Sequence, residues 1–344
     1  MNLFTRVEIC KLSPAINYSD SFLMMGSCFI TEIGERLTDA KFRCRVNPFG
    51  VLYNPMSVAH SLRVLLNNAS REFSSSLTWD KIISHEGDIF FHQGLWHSFA
   101  FHGDFSASTK EQLLRNIGMS MDACQDIMNN VTWCFLTFGT AYVYEWKETG
   151  KIVANCHKLP ENLFTRRRLA VDEIVDEYRR LLADMWQVNP QLKVMLTVSP
   201  IRHIRDGLHE NQLSKSVLHL AIDILQQSFP DRVFYFPAYE LLTDELRDYR
   251  YYADDLVHPS RMAVEYVWQR FVETCIDKEA VNAIESVKEI KKMLDHRPLH
   301  PESPEYARFL HQIVLKIETL SKKYPYFEFE KEKEICLTRL NRLH

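Results

Sequence analysis

Much is missing from this 344-residue sequence, and each absence removes a class of protein. No apolar run approaches the roughly 20 residues a helix needs to span a bilayer. The first twenty residues, MNLFTRVEICKLSPAINYSD, contain neither the apolar h-region nor the cleavage site of a secretory signal. A cytoplasmic protein with no membrane partner is expected. The eight cysteines (Cys10, Cys28, Cys44, Cys124, Cys134, Cys156, Cys275 and Cys336) form no CxxC pair, so neither a zinc ribbon nor a thioredoxin-type site is signalled. In a reducing compartment they should be free thiols, several of them small hydrophobes inside strands. The formal net charge is −4, whereas nucleic-acid-binding domains are usually strongly basic, so no nucleic-acid partner is expected. There is no internal repeat and no low-complexity segment.

What is present alternates between strand and helix. Ser21–Met25 is short and apolar and ends at Gly26. Ile30–Ala40 has helical spacing, Phe42–Val46 reads as a strand, and Asn54–Asn67 as a helix with Pro55 at its first position. Thr78–Phe101, aromatic and broken by Glu86-Gly87-Asp88, predicts an inserted strand pair. A helix over Thr109–Met128 leads into Thr132–Trp146, which is β in character, and Thr149-Gly150 turns the chain into Lys151–Cys156. Helices at Val171–Trp186, Asn211–Phe229 and Arg261–Cys275 then alternate with strands at Lys193–Val198 and Arg232–Phe236. This order predicts an α/β fold, a parallel sheet with helices on both faces. From about residue 279 only helices are expected, over Val281–His296, Tyr306–Tyr324 and Phe329–Leu343. Residues 1–278 are thus read as one domain and 279–344 as a helical extension, covering one side of the sheet or forming a dimer contact. A homo-oligomer stays open.

Ligands of doubly wound sheets bind outside the carboxyl ends of the strands. Gly26-Ser27-Cys28 falls there, at a helix start whose N–H groups suit a developing oxyanion. Small residues at a βα turn are also common for packing alone. The stretch is not the G-x-S-x-G elbow, since Phe29 stands where that motif needs glycine. Asp255-Leu-Val-His258-Pro-Ser offers an Asp able to accept Nδ1–H of a histidine and leave Nε2 as base. Together the two stretches supply a Ser-His-Asp system. Cys28 is the competing nucleophile, but a reactive cysteine needs a lowered pKa.

Other polar residues are read against plainer roles. Asn155 and His157 end the hairpin and serve equally as turn residues. Arg202 and His203 follow a strand and point toward the active edge, where each could bind a substrate or pair with Asp206 or Glu210. Lys158 is a similar case. Arg166–Arg168 reads as a solvated surface run, and His92, His97 and His102 as exposed residues of the insert.

GSCF at 26–29, FGTAYVY at 138–144, VANCHKLP at 153–160, SPIRHIRDG at 199–207 and ELRDYRYYADDLVHPS at 245–260 resemble the GSCFA family, with Ile30 where the family name has alanine. That family is similar to the SGNH (GDSL-like) hydrolases. The resemblance implies a three-layer α/β/α, flavodoxin-like fold with a five-stranded parallel sheet, here carrying a β-rich insertion and the helical extension. It places the nucleophile at Ser27, the orienting carboxylate at Asp255 and the base at His258. It places an oxyanion-hole N–H at Gly50, beside that of Ser27. Where the third block has Asn, this chain has Ala141; Asn155 from the neighbouring hairpin, which matches no family block, is the candidate to substitute for it. His157, Arg202 and His203 are the expected substrate contacts. The implied reaction is hydrolysis of a small acyl ester, such as an O-acetylated carbohydrate, through an acyl-enzyme, with no cofactor and no metal. An acyltransferase using the same triad and a catalytically silent carbohydrate-binding protein are the alternatives.

Overall fold

The inner strands of the main sheet are largely apolar because both of their faces are covered, whereas the edge strand Arg43–Val46 carries two arginines. A computed structural model describes residues 5–69, 88–124 and 127–341. The strands are β1 (Ser21–Gly26), β2 (Arg43–Val46), β3 (Ile89–His92), β4 (Leu95–Ser98), β5 (Trp133–Phe138), β6 (Tyr142–Trp146), β7 (Ile152–Val153), β8 (Phe164–Arg168), β9 (Lys193–Val198) and β10 (Val233–Tyr235). The longer helices are α1 (Cys28–Asp39), α2 (Pro55–Ala69), α3 (Lys110–Asp122), α4 (Val171–Val188), α5 (Leu208–Ser228), α6 (Arg261–Cys275), α7 (Lys278–Asp295), α8 (Pro304–Lys323) and α9 (Glu330–Asn341).

Five strands form one parallel sheet in the order β10-β9-β5-β1-β2. Side chains alternate across it with period two. Leu23, Cys134, Leu136, Val194 and Leu196 join one core with residues of α2, α4 and α5. Phe22, Met24, Trp133, Phe135 and Met195 join the other, with residues of α1 and α6. The result is a three-layer α/β/α fold of flavodoxin-like strand order. The helices α7, α8 and α9 belong to the second core, so they add to the α1/α6 side. Tyr18 stacks on Phe42 at 4.2 Å and meets Phe327 edge-on at 4.6 Å, and Lys41 pairs with Glu332 at 2.7 Å.

The chain runs outward from β1 to β2, then crosses to β5 on the other side of β1 and continues outward. Its direction therefore reverses between β1 and β5. Such a switch point opens a crevice at the carboxyl ends of the two strands. Gly26-Ser27 and Phe138-Gly139 lie there.

Two expectations need correction. The Thr132–Trp146 stretch is two strands, β5 in the main sheet and β6 in a separate antiparallel sheet with β7 and β8. The break comes because the Gly139 and Thr140 N–H groups both turn to the Tyr53 carbonyl, at 2.7 and 3.0 Å. The described hairpin β3–β4 turns at Gln93-Gly94, both of positive φ. Residues 78–87 of the expected strand pair lie outside the described residues. Arg166–Arg168 is not a solvated run but the end of β8. Arg166 pairs with Asp206, Arg167 with Glu145 and Glu173, and Arg168 with Glu210.

Candidate active site

Ser27 owes its position to Gly26. The Gly26 backbone has φ of 137°, and a Cβ there would sit 2.1 Å from the Thr137 carbonyl oxygen, so no larger residue fits against β5. Asn47, after β2, accepts the Gly26 N–H at 2.9 Å, and the Gly26 carbonyl accepts from Leu52 at 2.9 Å. The chain then turns so that Ser27 is the N-cap of α1. Its hydroxyl does not cap the helix, however. Ser27 is buried, and its Oγ has no hydrogen-bond partner. Buried polar atoms are nearly always partnered. The hydroxyls of Ser61, Thr137 and Thr197 also lack a partner among the described residues, but of these four residues Ser27 alone lines the cavity at the switch point.

Ser27 lines this cavity of about 640 Å³ together with Asn155, Arg202, His203 and His258. His258 Nδ1 lies 2.6 Å from Asp255 Oδ2, and Asp255 Oδ1 accepts the N–H groups of Val257 and His258, each at 2.9 Å. Those two N–H groups and the imidazole hold the Asp255 carboxyl at about 2, well below the ordinary carboxylate range. With Nδ1 held, Nε2 is the free nitrogen. Ser27 and His258 share the cavity but make no hydrogen bond to each other, a contact that in unliganded sites often tightens only with substrate. Cys28 lines the same cavity, and burial raises its thiol pKa, the opposite of what a thiolate nucleophile needs.

The expected oxyanion donors fare differently from one another. The Gly50 N–H donates to the Asn47 carbonyl at 2.9 Å, closing a turn outside the cavity. The Ser27 N–H donates to the Thr137 carbonyl at 3.1 Å. Both are already used in holding the loops. Ala141 is packed in the core, its N–H on Ser214 Oγ at 2.7 Å, so the third-block position offers no side-chain donor. Asn155 does line the cavity. Its Oδ1 accepts the His157 N–H at 2.8 Å, which leaves Nδ2 without a partner among the described residues.

His157 does not reach the cavity. Positive φ at His157 and Lys158 swings its ring inward, where Nε2 meets the Ser98 carbonyl at 2.7 Å and the ring lies 4.6 Å from that of His97. Burial pushes its pKa down to about 4, as suits a neutral structural imidazole.

His203 does line the cavity, opposite Ser27. Gly139 explains how close the two come. A Cβ on Gly139 would lie 3.1 Å from His203 Nε2 and from the Tyr53 carbonyl oxygen, and 3.5 Å from Ser27 Cβ. The missing side chain thus leaves a small space between the serine and the imidazole. Burial and the nearby Lys215 push the His203 pKa down to about 4. It is therefore a neutral imidazole and a weak base.

Lys215 lies beneath these groups and gave no signal in the sequence beyond a lysine on a helix. It is fully buried on α5, and its ammonium donates to the Gly139 and Ser199 carbonyls at 2.6 and 2.7 Å. These carbonyls end β5 and β9, so one amine ties the two strands together below the cavity. Among the described residues no cluster of His, Cys, Asp and Glu is arranged to hold a metal ion. None of their helices is long and apolar enough to cross a membrane.

A doubly wound α/β domain with a buried serine after β1 and an Asp-bonded histidine before its last helix defines the class of protein. Residues 21–271 match the model of the GSCFA family and residues 287–342 that of the GSCFA domain protein C-terminal domain. The chain belongs to the GSCFA family. No curated protein matches it. Among solved structures it is similar to an acetyl xylan esterase (Est2A) from the rumen bacterium Butyrivibrio proteoclasticus, at 10% identity and a TM-score of 0.36. That match covers 75% of this chain and 63% of the esterase chain.

Proposed function

We propose that the protein is a serine esterase that hydrolyses a small acyl ester, such as an acetyl group on a carbohydrate. The observation that carries this reading is the unpartnered, buried Ser27 hydroxyl sharing a cavity with an imidazole held by Asp255. Ser27 Oγ attacks the ester carbonyl carbon while His258 Nε2 takes its proton. The tetrahedral intermediate collapses, the alcohol leaves with that proton, and the acyl group stays on Ser27. Water then attacks the acyl-enzyme, gives its proton to His258, and the acid leaves as the proton returns to Ser27. Asp255 holds the tautomer and stabilises the imidazolium. The developing oxyanion takes its hydrogen bonds from the first N–H of α1, at Cys28, from His203 Nε2 in the small space beside Gly139, and from Asn155 Nδ2.

A fluorophosphonate probe with intact-mass analysis tests this. One adduct is expected on wild type and Cys28→Ala and none on Ser27→Ala, with 4-nitrophenyl acetate turnover lost in the same variant. An unlabelled wild type that turns over no ester sinks the esterase. The Ser27 and Gly50 N–H groups already used within the fold favour one second reading, a silent carbohydrate-binding protein, which that outcome would support.

A further inference from the structure

The charges around the cavity do not balance. Lys158, Arg166, Arg202 and Arg205 line it, against a single lining carboxylate, Glu161. Glu161 pairs with Arg205, and Asp206, behind the wall, pairs with Arg166. Arg166 is held further by the Tyr142 ring, 4.2 Å from its guanidinium carbon. Arg202 and Lys158 remain, with no carboxylate at ion-pair distance among the described residues. Lys158 is exposed, and a lysine in water needs no partner. Arg202 is half-buried and stacks over Tyr252 at 5.1 Å, so its plane is fixed before anything binds. A fixed guanidinium with unused donors fits a planar carboxylate through two parallel hydrogen bonds.

Arg202 also lies on a particular side of the reaction. Tyr252 bridges to Pro259, and the next residue, Ala253, donates its N–H to the His258 carbonyl at 2.8 Å. The arginine therefore packs on the loop that carries His258. In the proposed reaction His258 hands its proton to the departing alcohol, so groups on that loop meet the alcohol half of the ester. Tyr142 and Tyr144 line the same cavity under the guanidinium groups of Arg166 and Arg205, and the Tyr53 ring offers a face for a ring-bearing alcohol.

We propose that the cavity selects esters whose alcohol half carries a carboxylate, an acylated hydroxy acid such as an acidic sugar, with Arg202 as the carboxylate-binding residue and Lys158 as a second cation at the rim. This deepens the esterase reading and rests on it.

The test compares 4-acetoxybenzoate with 4-acetoxybenzamide, which differ only in charge on the alcohol half, each rate being divided by its uncatalysed rate in hydroxide. Wild type is expected to prefer the carboxylate by about ten- to a hundredfold in kcat/KM, the usual value of a charge-assisted hydrogen bond. In Arg202→Gln that ratio is expected to fall toward one through a raised KM for the carboxylate. General damage to the fold would lower both rates and leave the ratio. Turnover of both esters without a preference overturns the carboxylate subsite and leaves the esterase. A preference that survives in Arg202→Gln overturns the role of Arg202. No turnover of either ester, with no fluorophosphonate adduct on Ser27, overturns the esterase and the inference together.

Discussion

Lys215 makes stability depend on pH in a calculable way. Its ammonium is buried without a carboxylate, and burial lowers its pKa from the ordinary 10.5 to about 7. The unfolded chain therefore binds this proton more tightly than the folded one between those two values. Stability from this group is full above pH 10.5 and is lost as pH falls toward 7, by about 1.4 kcal/mol per pH unit. Across the window that amounts to roughly 4 kcal/mol. In Lys215→Met this dependence disappears. The Gly139 and Ser199 carbonyls lose their donor instead, which costs about 1–3 kcal/mol each at every pH. Urea unfolding of both proteins, followed from pH 7 to pH 10, reads the difference, and every other titrating group cancels from it. Wild type is expected to gain on the variant steadily as pH rises, at constant m-value. Parallel curves would mean that the amine keeps its ordinary pKa and is solvated, and the burial argument would fail.

Four further expectations follow from the same contacts. Gly26→Ala drives a Cβ into the Thr137 carbonyl and should cost about 3 kcal/mol or more, seen as a lowered Tm; an unchanged Tm would refute the packing argument. Arg270 donates twice to buried Glu245, at 2.6 and 2.7 Å, so Arg270→Met leaves a buried carboxylate without its cation and should cost roughly 3–5 kcal/mol in urea unfolding; a small effect would show that the Val7 N–H and Tyr266 suffice for it. His203→Leu should lower kcat by about 10²–10³ while His203→Asn, which keeps a donor, loses much less; equal losses would mean that the imidazole only fills space. Asp255→Asn should lower kcat by about 10⁴. Because the Asp255 carboxyl titrates at about 2, its charge is lost only as pH falls through that value. No limb of the pH–rate profile above pH 4 should track Asp255, and one that does would contradict the assignment.

The sheet was legible because its strands obey a local rule. Lys193–Val198 is buried on both faces beyond its first residue and reads as a largely apolar run stopped by Ser199-Pro200. The insert was less legible for the opposite reason. Phe164–Arg168 looks like surface because three of its residues are arginines. What makes it a strand is the ladder to β6 and the carboxylates of Glu145, Asp206 and Glu210, between 22 and 42 residues away in sequence. No local pattern announces such partners. The break at Gly139 was hidden likewise, since the Tyr53 carbonyl that causes it comes from the other end of the α2 crossover.

The same distinction explains which parts of the candidate site were legible in the sequence. Asp255 and His258 contact one another three residues apart, so their pairing is local and the motif carries it. Which N–H groups are free is not local. Ser27 looks like a donor until the fold brings the Thr137 carbonyl to accept from it. Conversely, His203 looks like one loop histidine among several until Gly139, by lacking a side chain, opens a space between it and Ser27. A candidate nucleophile and a candidate base can be read from residue types in order along the chain. An oxyanion hole is defined by donors left over after every other acceptor has been served, and that remainder exists only once the chain has folded.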